Sequence, residues 1–590
     1  MTGNENLMSY NQGQSNCLSS KRTSLKNKRI RHLSISFLLL IFGQYLWGQQ
    51  NQTFSSTNEY YQTLQEANSY YSQQQFDKAF PLYRKLVISN PDNSNLWLNY
   101  GYSAERLGQL DEAISALKKA LDLGADVRYG VCLSIARLYA KKGDKNSALD
   151  WLENTLKARI PDRARFQRIP EFNGYENDER FRRIAGMLPI KQFTRDEGWR
   201  FDLQFLIEEA RRKHPGFDTY NFKRPSFSVE FENAAKSLDS RISKLSDEQI
   251  ITEMHRLVVM LGDGHSSVFK PPVSLPIDFY LFGDGLHIVR GLGDSKKYVG
   301  NKVLAFGQKE TEQILKDLVQ YIQRDNSMGI KWLSPRYLIS LPVLQALGVA
   351  NEKNEVILKL QNKKGETENV AIVGKEERIP DVTLMPLDDS PNQPLYMQNH
   401  LANFFLKALP ENKAVYLKVN FLLRTPEKTI EQLSNDLGQQ LLTTKENKNL
   451  IIDIRQNRGG NSFLIQTLVK SITHFKQISA EHRVYVIIGR STFSTGMNLA
   501  TALERQVGVI FVGEPTGSSP NFVGEDGPFR LPYSNTFVNI SWANHYGSFW
   551  WDERKWIAPD IPVQLSSADY FSNHDPVLEA VFNLIKGKAT

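Results

Sequence analysis

The chain has 590 residues, 41% hydrophobic and 23% charged, a composition typical of globular domains and a length beyond any single core. Its formal charge of +8 is unevenly placed: residues 1–48 hold Lys21, Arg22, Lys26, Lys28, Arg29 and Arg31 against Glu5, leaving about three positive charges for everything after them. So thin an excess argues against nucleic acid as a partner, and two cysteines, Cys17 and Cys132, with no CxxC or HExxH spacing, give no metal site and no disulfide framework.

The six basic side chains precede an apolar run, residues 35–46 within LSISFLLLIFGQYLWGQQ. A run of this length is too short to cross a hydrocarbon core, which takes about 20 residues, and it matches the apolar region of a signal peptide behind a positive flank. Residues 1–48 are expected to direct export to the periplasm or the outside. An uncleaved anchor is the alternative, and only then would the chain touch a membrane.

Residues 57–190 open with a repeat. ANSYYSQQQFDKAFPLYRKLVISNP places Ala67, Tyr70, Ala79, Tyr83 and Pro91 at offsets that LWLNYGYSAERLGQLDEAISALKKALDL repeats with Trp97, Gly101, Ala104, Ala113 and Ala120. The period from Ala79 to Ala113 is 34 residues, and a third copy follows with Ala136, Tyr139 and Ala148. Small residues at these offsets let antiparallel helices approach while aromatics fill between them. The stretch resembles the tetratricopeptide family, whose α-helical solenoids offer a concave face to a protein or peptide partner; a packing or spacer module is the other reading.

Residues 191–270 read as a helical cap ending in Gly262, Asp263, Gly264 and His265, where glycines stop the helix and turn the chain into an apolar SSVF. Between 271 and 392 short runs such as DFYLF, LHIVRGL, KVLAF and EVILKL predict a β-rich insert, and GNKVLAFGQKETEQIL resembles a PDZ module. From 393 to 590 strands and helices alternate: AVYLKVNF, a helix, NLIIDIRQNRGG, a helix, VYVIIGR, a helix from Ser494, then VGVIFVGEP. Continuous β-branched runs between helices predict an α/β core with parallel pairing, and sites in such folds lie at the carboxyl ends of strands.

Two strand ends carry candidates. LIIDIRQNRGGNS delivers Asp453, Arg455 and Asn457, read as holding the loop, into Gly459 and Gly460, whose N–H groups can face a ligand with no Cβ in the way. VIIGRSTFSTGMNLA places Ser494 where a strand hands over to a helix, beside the N–H of Thr495. That geometry suits a nucleophile and suits a helix cap equally. His265, flanked by glycine in a loop, is the histidine without an easy structural reading.

LGDGHSSV, DIRQNRGGNS, RSTFSTGMNLA, VGEPTG and WIAPDIPVQL, in this order, resemble the tail-specific or C-terminal processing protease family, in its tricorn-core-like branch, over roughly residues 195 to 585. The resemblance implies a crotonase-like core, Ser494 as nucleophile and Gly459 and Gly460 bordering an oxyanion hole completed by Thr495. The processing proteases pair serine with a lysine in a TxGKG-like stretch, whereas residues 516–520 read TGSSP. The tricorn-like branch implies His265 as base and Glu553 as the third residue, with Asp552 as the alternative acid. The expectation is an exported serine peptidase of polypeptide substrates, needing no cofactor. A non-catalytic polypeptide-binding scaffold with a decayed core is the alternative, and an esterase using the same serine is a third reading.

Overall fold

The computed structural model describes residues 54–126, 128–218, 227–269, 273–376, 392–423, 429–443 and 447–588. The expected signal segment lies outside them, and no described helix is long and apolar enough to cross a membrane. Two compact units divide between Gly143 and Asp144, inside the stretch 57–190 read as repeats.

The first unit holds helices α1 (Thr57–Ser72), α2 (Phe76–Ser89), α3 (Ser94–Arg106), α4 (Leu110–Asp122) and α5 (Arg128–Lys141). Its small residues sit where helices cross. Ala67, Ala79, Ala104, Ala113 and Ala120 have no exposure, and a Cβ added to Gly101 would lie 2.9 Å from Leu117. Phe80 stacks on Tyr100 with ring centroids 4.9 Å apart. The 34-residue period of the sequence is thus the length of one helix pair with its turns.

The second unit begins with α6 (Lys145–Lys157) and continues through α7 (Arg195–Lys213), α8 (Phe227–Asp239) and α9 (Asp247–Val259). Ser246 and Gln249 form a capping box that starts α9. After β1 (Ser267–Phe269) come β2 (Ile277–Phe282), β3 (Gly285–Gly291) and β4 (Lys302–Phe306), then α10 (Thr311–Leu318) and α11 (Ser327–Tyr337), then β5 (Glu355–Gln361) and β6 (Thr367–Val373). Strands β2 to β6 pair antiparallel in that order, so residues 271–392 contain the β-rich insert expected from alternation.

The central sheet uses β7 (Phe404–Leu409), β8 (Ala414–Val419), β9 (Asn449–Asp453), β10 (Arg483–Ile488), β11 (Ile510–Gly513) and β16 (Ile561–Pro562) in the order β16-β11-β10-β9-β8-β7. All neighbours are parallel except β7 and β8. Helices α12 (Ile430–Thr443), α13 (Ile465–Ile478) and α14 (Thr495–Gln506) belong to one face, where Leu417, Ile452 and Val486 are buried; α15 (Pro576–Ile585) covers Tyr416, Ile451, Ile487 and Val512 on the other. Because both faces are covered, the strands read as unbroken apolar runs, each buried aliphatic contributing about 1.5–3 kcal/mol.

Between β11 and β16 lie β12 (Asn521–Gly524), β13 (Pro528–Arg530), β14 (Phe537–Asn539) and β15 (Ala543–Tyr546). Strand β1 pairs antiparallel with β14, Ser267 opposite Asn539, and β14 pairs with β13. Trp199, Leu203, Met254 and Leu257 therefore share one core with Phe529, Leu531, Val538 and Ile540. Segment 191–270 is bound into the same packing as residues after 393, and this pairing carries the His265 loop to the strand ends of the central sheet.

Candidate active site

Strand β10 ends at Ile488, and four of the residues that follow, Ser491, Thr492, Phe493 and Thr495, are pinned to the loop after β9. Ser491 donates to the carbonyl of Arg455 (2.8 Å), Thr492 to that of Ile454 (2.9 Å), and the Phe493 N–H to that of Asn457 (3.0 Å). Thr495 donates through Oγ1 to the Gly460 carbonyl (2.8 Å). Ser494 alone among these hydroxyl residues is held differently. It occupies the N-cap position of α14 with φ 55° and ψ −124°, and its side chain makes no capping bond. A non-glycine residue there carries a strain of order 1–3 kcal/mol, so Ser494 gives up the stabilisation a cap would bring.

The opposing wall is glycine for a steric reason. A Cβ on Gly459 would lie 2.9 Å from Ser494 Cβ and 3.1 Å from its Oγ, and one on Gly460 would lie 2.3 Å from the Leu422 carbonyl oxygen. Asn457 braces the turn, accepting from the Gly459 N–H (2.9 Å) and donating to the Val419 carbonyl (3.0 Å). Of the three oxyanion donors expected from sequence, Gly459 is therefore already engaged. Among the described residues the N–H groups of Gly460 and Thr495 have no acceptor.

His265 arrives on a loop wound around buried Asp263. One Asp263 oxygen accepts from the N–H groups of His265 (2.8 Å) and Ser266 (2.7 Å) and from the Ser541 hydroxyl (2.7 Å), and the other faces His214 Nε2 at 3.1 Å. Burial alone would raise that carboxyl; the bonds from His214, Ser266 and Ser541 outweigh it and hold Asp263 well below the usual range. The His265 imidazole lies against Phe493 (centroids 4.4 Å) and parallel to Phe522 (5.6 Å), whose ring also stacks on His545 (4.8 Å). Burial among these rings pulls its pKa below the ordinary 6.5, against the charges of Asp263, Asp526 and Glu525. Its surroundings thus favour the neutral imidazole.

Phe493 precedes Ser494 directly, so the structure brings His265 to the loop that carries the serine. It does not form the bond between them: both imidazole nitrogens are buried without a hydrogen-bond partner. That also places Glu553 and Asp552 off the imidazole. Asp552 is paired with Arg554 (2.8 Å), which holds its carboxyl down at about 2 and also grips Glu504. Glu553 is exposed. The acidic group the sequence reading missed is the turn Glu525–Asp526 after β12. Asp526 accepts from Asn539 Nδ2 (2.7 Å), and that same amide donates to the His265 carbonyl (3.0 Å). Its signal was an acidic pair between two glycines, Gly524 and Gly527, in a turn.

A second missed carboxyl, Asp325, underlies the histidine loop, accepting from the Gly264 N–H (2.7 Å) and from Ser518 Oγ. Burial, reinforced by Asp263, pushes it up from 3.8 to about 7. A folded pKa above the unfolded value means stability that is complete below pH 3.8 and lost as pH rises through 7. Asp325→Asn is expected to stabilise the chain at pH 8–9 by up to about 4 kcal/mol and to change little at pH 4, read from urea midpoints.

Residues 64–127 match the tetratricopeptide repeat family model. No curated protein matches the chain. Among solved structures the chain is similar to mature CPAF complexed with lactacystin, at 13% identity and a TM-score of 0.48 over 67% of this chain and 99% of that one. It is also similar to the photosystem II D1 C-terminal processing protease (13% identity, TM-score 0.32, 64% and 94% covered) and to tricorn protease (14% identity, TM-score 0.33, 67% and 37% covered).

Proposed function

We propose that the chain is an exported serine peptidase in which Ser494 attacks a peptide carbonyl. The observation that carries this is the conformation of Ser494, strained, uncapped and set against a glycine wall. His265 takes the Oγ proton as the new C–O bond forms, then gives it to the departing amine; water, deprotonated by the same imidazole, releases the acyl group. The N–H groups of Gly460 and Thr495 stabilise the oxyanion, and the Gly459 N–H supports the turn through Asn457. In the free chain Ser494 and His265 stand on adjacent loops without a bond, and substrate tightens the pair. Asp526, tied to the His265 loop through Asn539, steadies the imidazolium in place of Glu553 or Asp552. The central sheet is read as a crotonase-like core, β2 to β6 as a PDZ-like insert, and the repeats as the surface for a protein partner.

The test is labelling by a fluorophosphonate probe in the parent, Ser494→Ala and His265→Ala. Equal labelling of the parent and Ser494→Ala would falsify the assignment. The unpartnered imidazole also favours a second reading, a chain that binds polypeptide without cutting it; that reading stands if the parent binds unfolded polypeptide but takes no label. Because His265 must be neutral to act and its pKa is depressed, kcat/KM is expected to hold as pH falls through 6.5 and to drop only below it. An acid limb centred above 6.5 contradicts the burial of His265. Asp526→Asn is expected to shift that limb, whereas Glu553→Gln leaves it in place.

A further inference from the structure

A cavity among the described residues lies away from Ser494. It measures about 660 Å³ between α8, α9 and the start of α11, with Lys555 and Trp556 also on its wall. This is within the range of about 300–1,000 Å³ for sites that take small organic ligands. Neither Ser494 nor the Gly459–Gly460 turn lines it. Its walls are largely apolar, with Leu238, Leu257, Ile330 and Trp556 among them, and three cations, Arg256, Arg324 and Lys555, face the same space.

These cations differ in what holds them. Arg256 is paired with Glu253 at 2.8 Å. Arg324 donates through Nη1 to the carbonyls of Val319 (2.9 Å) and Ile322 (2.7 Å). Among the described residues no carboxylate is paired with Arg324 or Lys555, and burial without a counter-charge pulls the Arg324 pKa below its ordinary value. A half-buried guanidinium on the cavity wall, bonded to backbone carbonyls and, among the described residues, to no carboxylate, suits a planar anion. Glu253 and Asp325, also on the wall, oppose a dianion.

We infer that this cavity binds a monocarboxylate carried on an apolar body, its carboxylate on Arg324 and Lys555 and its body against Leu257 and Trp556. Two sources share that chemistry: a free amphiphilic acid, and the C-terminal carboxylate of a peptide with apolar terminal residues. Asp325 belongs to this wall and also holds Gly264, so an occupant lies one residue contact from the His265 loop.

The test is calorimetric titration of full-length Ser494→Ala, which keeps binding separate from turnover. The probes are decanoate against decanamide, and acetyl-trileucine against its C-terminal amide. One acid at least is expected to bind about tenfold or more tightly than its amide, and the pair that shows the preference identifies the source. Arg324→Gln is expected to remove the preference and Lys555→Gln to reduce it several-fold. Lys555 is exposed, so its variant decides the matter if Arg324→Gln does not fold. The inference is overturned if neither acid is preferred to its amide, or if the preference survives both substitutions.

Discussion

Ser494→Ala is expected to lose peptide hydrolysis by roughly 10⁴- to 10⁶-fold while binding polypeptide as well as the parent, because the substitution leaves the proposed oxyanion donors, the Gly460 and Thr495 N–H groups, in place. A companion variant separates the catalytic role from a structural one. Ser494 holds φ 55°, ψ −124° with no capping bond to compensate, and glycine relieves strain of this kind whereas alanine does not. Ser494→Gly is therefore expected to be about 1–2 kcal/mol more stable than the parent and equally inactive, while Ser494→Ala matches the parent in stability. Urea midpoints for the three proteins, read beside their hydrolysis rates, check both statements. If Ser494→Gly is instead less stable, the serine is a cap and the nucleophile reading fails.

How much of this was legible follows from the range of the interactions involved. The repeat period was readable because close helix crossings demand small residues at fixed offsets, and Ala79 and Ala113 stand at such crossings with no exposure. The parallel core was readable because strands buried on both faces leave unbroken apolar runs. Ser491, Thr492 and Thr495 could be placed as turn residues, and each bonds a neighbouring carbonyl. Ser494 could not be told from a cap by local sequence, since the two share a position and differ in backbone conformation and in one hydrogen bond. Family resemblance directed attention to Glu553, yet in the structure Asp526 is the residue tied to the histidine loop. That tie runs through Asn539, on a strand that pairs with residues 272 positions earlier (539 − 267), and no window of sequence contains such a pairing. Asp325 was invisible for the same reason: its partners Gly264 and Ser518 lie on opposite sides of it in the chain.

Arg455→Met is expected to cost about 3–5 kcal/mol, the largest stability loss among these substitutions. Arg455 stands at the end of β9 and is nearly buried. Its guanidinium faces Asp453 at 2.8 Å and both oxygens of Asp575, at 2.9 and 3.0 Å, and lies 4.7 Å from the Tyr396 ring centroid. Asp575 in turn caps α15 through the N–H groups of Val577 and Leu578, so one cation joins the site-bearing strand to the helix behind the sheet. Methionine keeps an unbranched apolar stem and leaves two carboxylates in low dielectric without the Arg455 charge, which is the costly way to break such a network. Arg455→Lys keeps the charge but cannot make the two-sided fork, so it is expected to lose less, about 1–3 kcal/mol. Because the Arg455 carbonyl also receives the Ser491 hydroxyl, loosening this corner frees the turn that holds Ser494 in its strained conformation. Fluorophosphonate labelling of folded Arg455→Met is expected to be slower than that of the parent, and unchanged labelling alongside a lowered urea midpoint would confine Arg455 to stability alone.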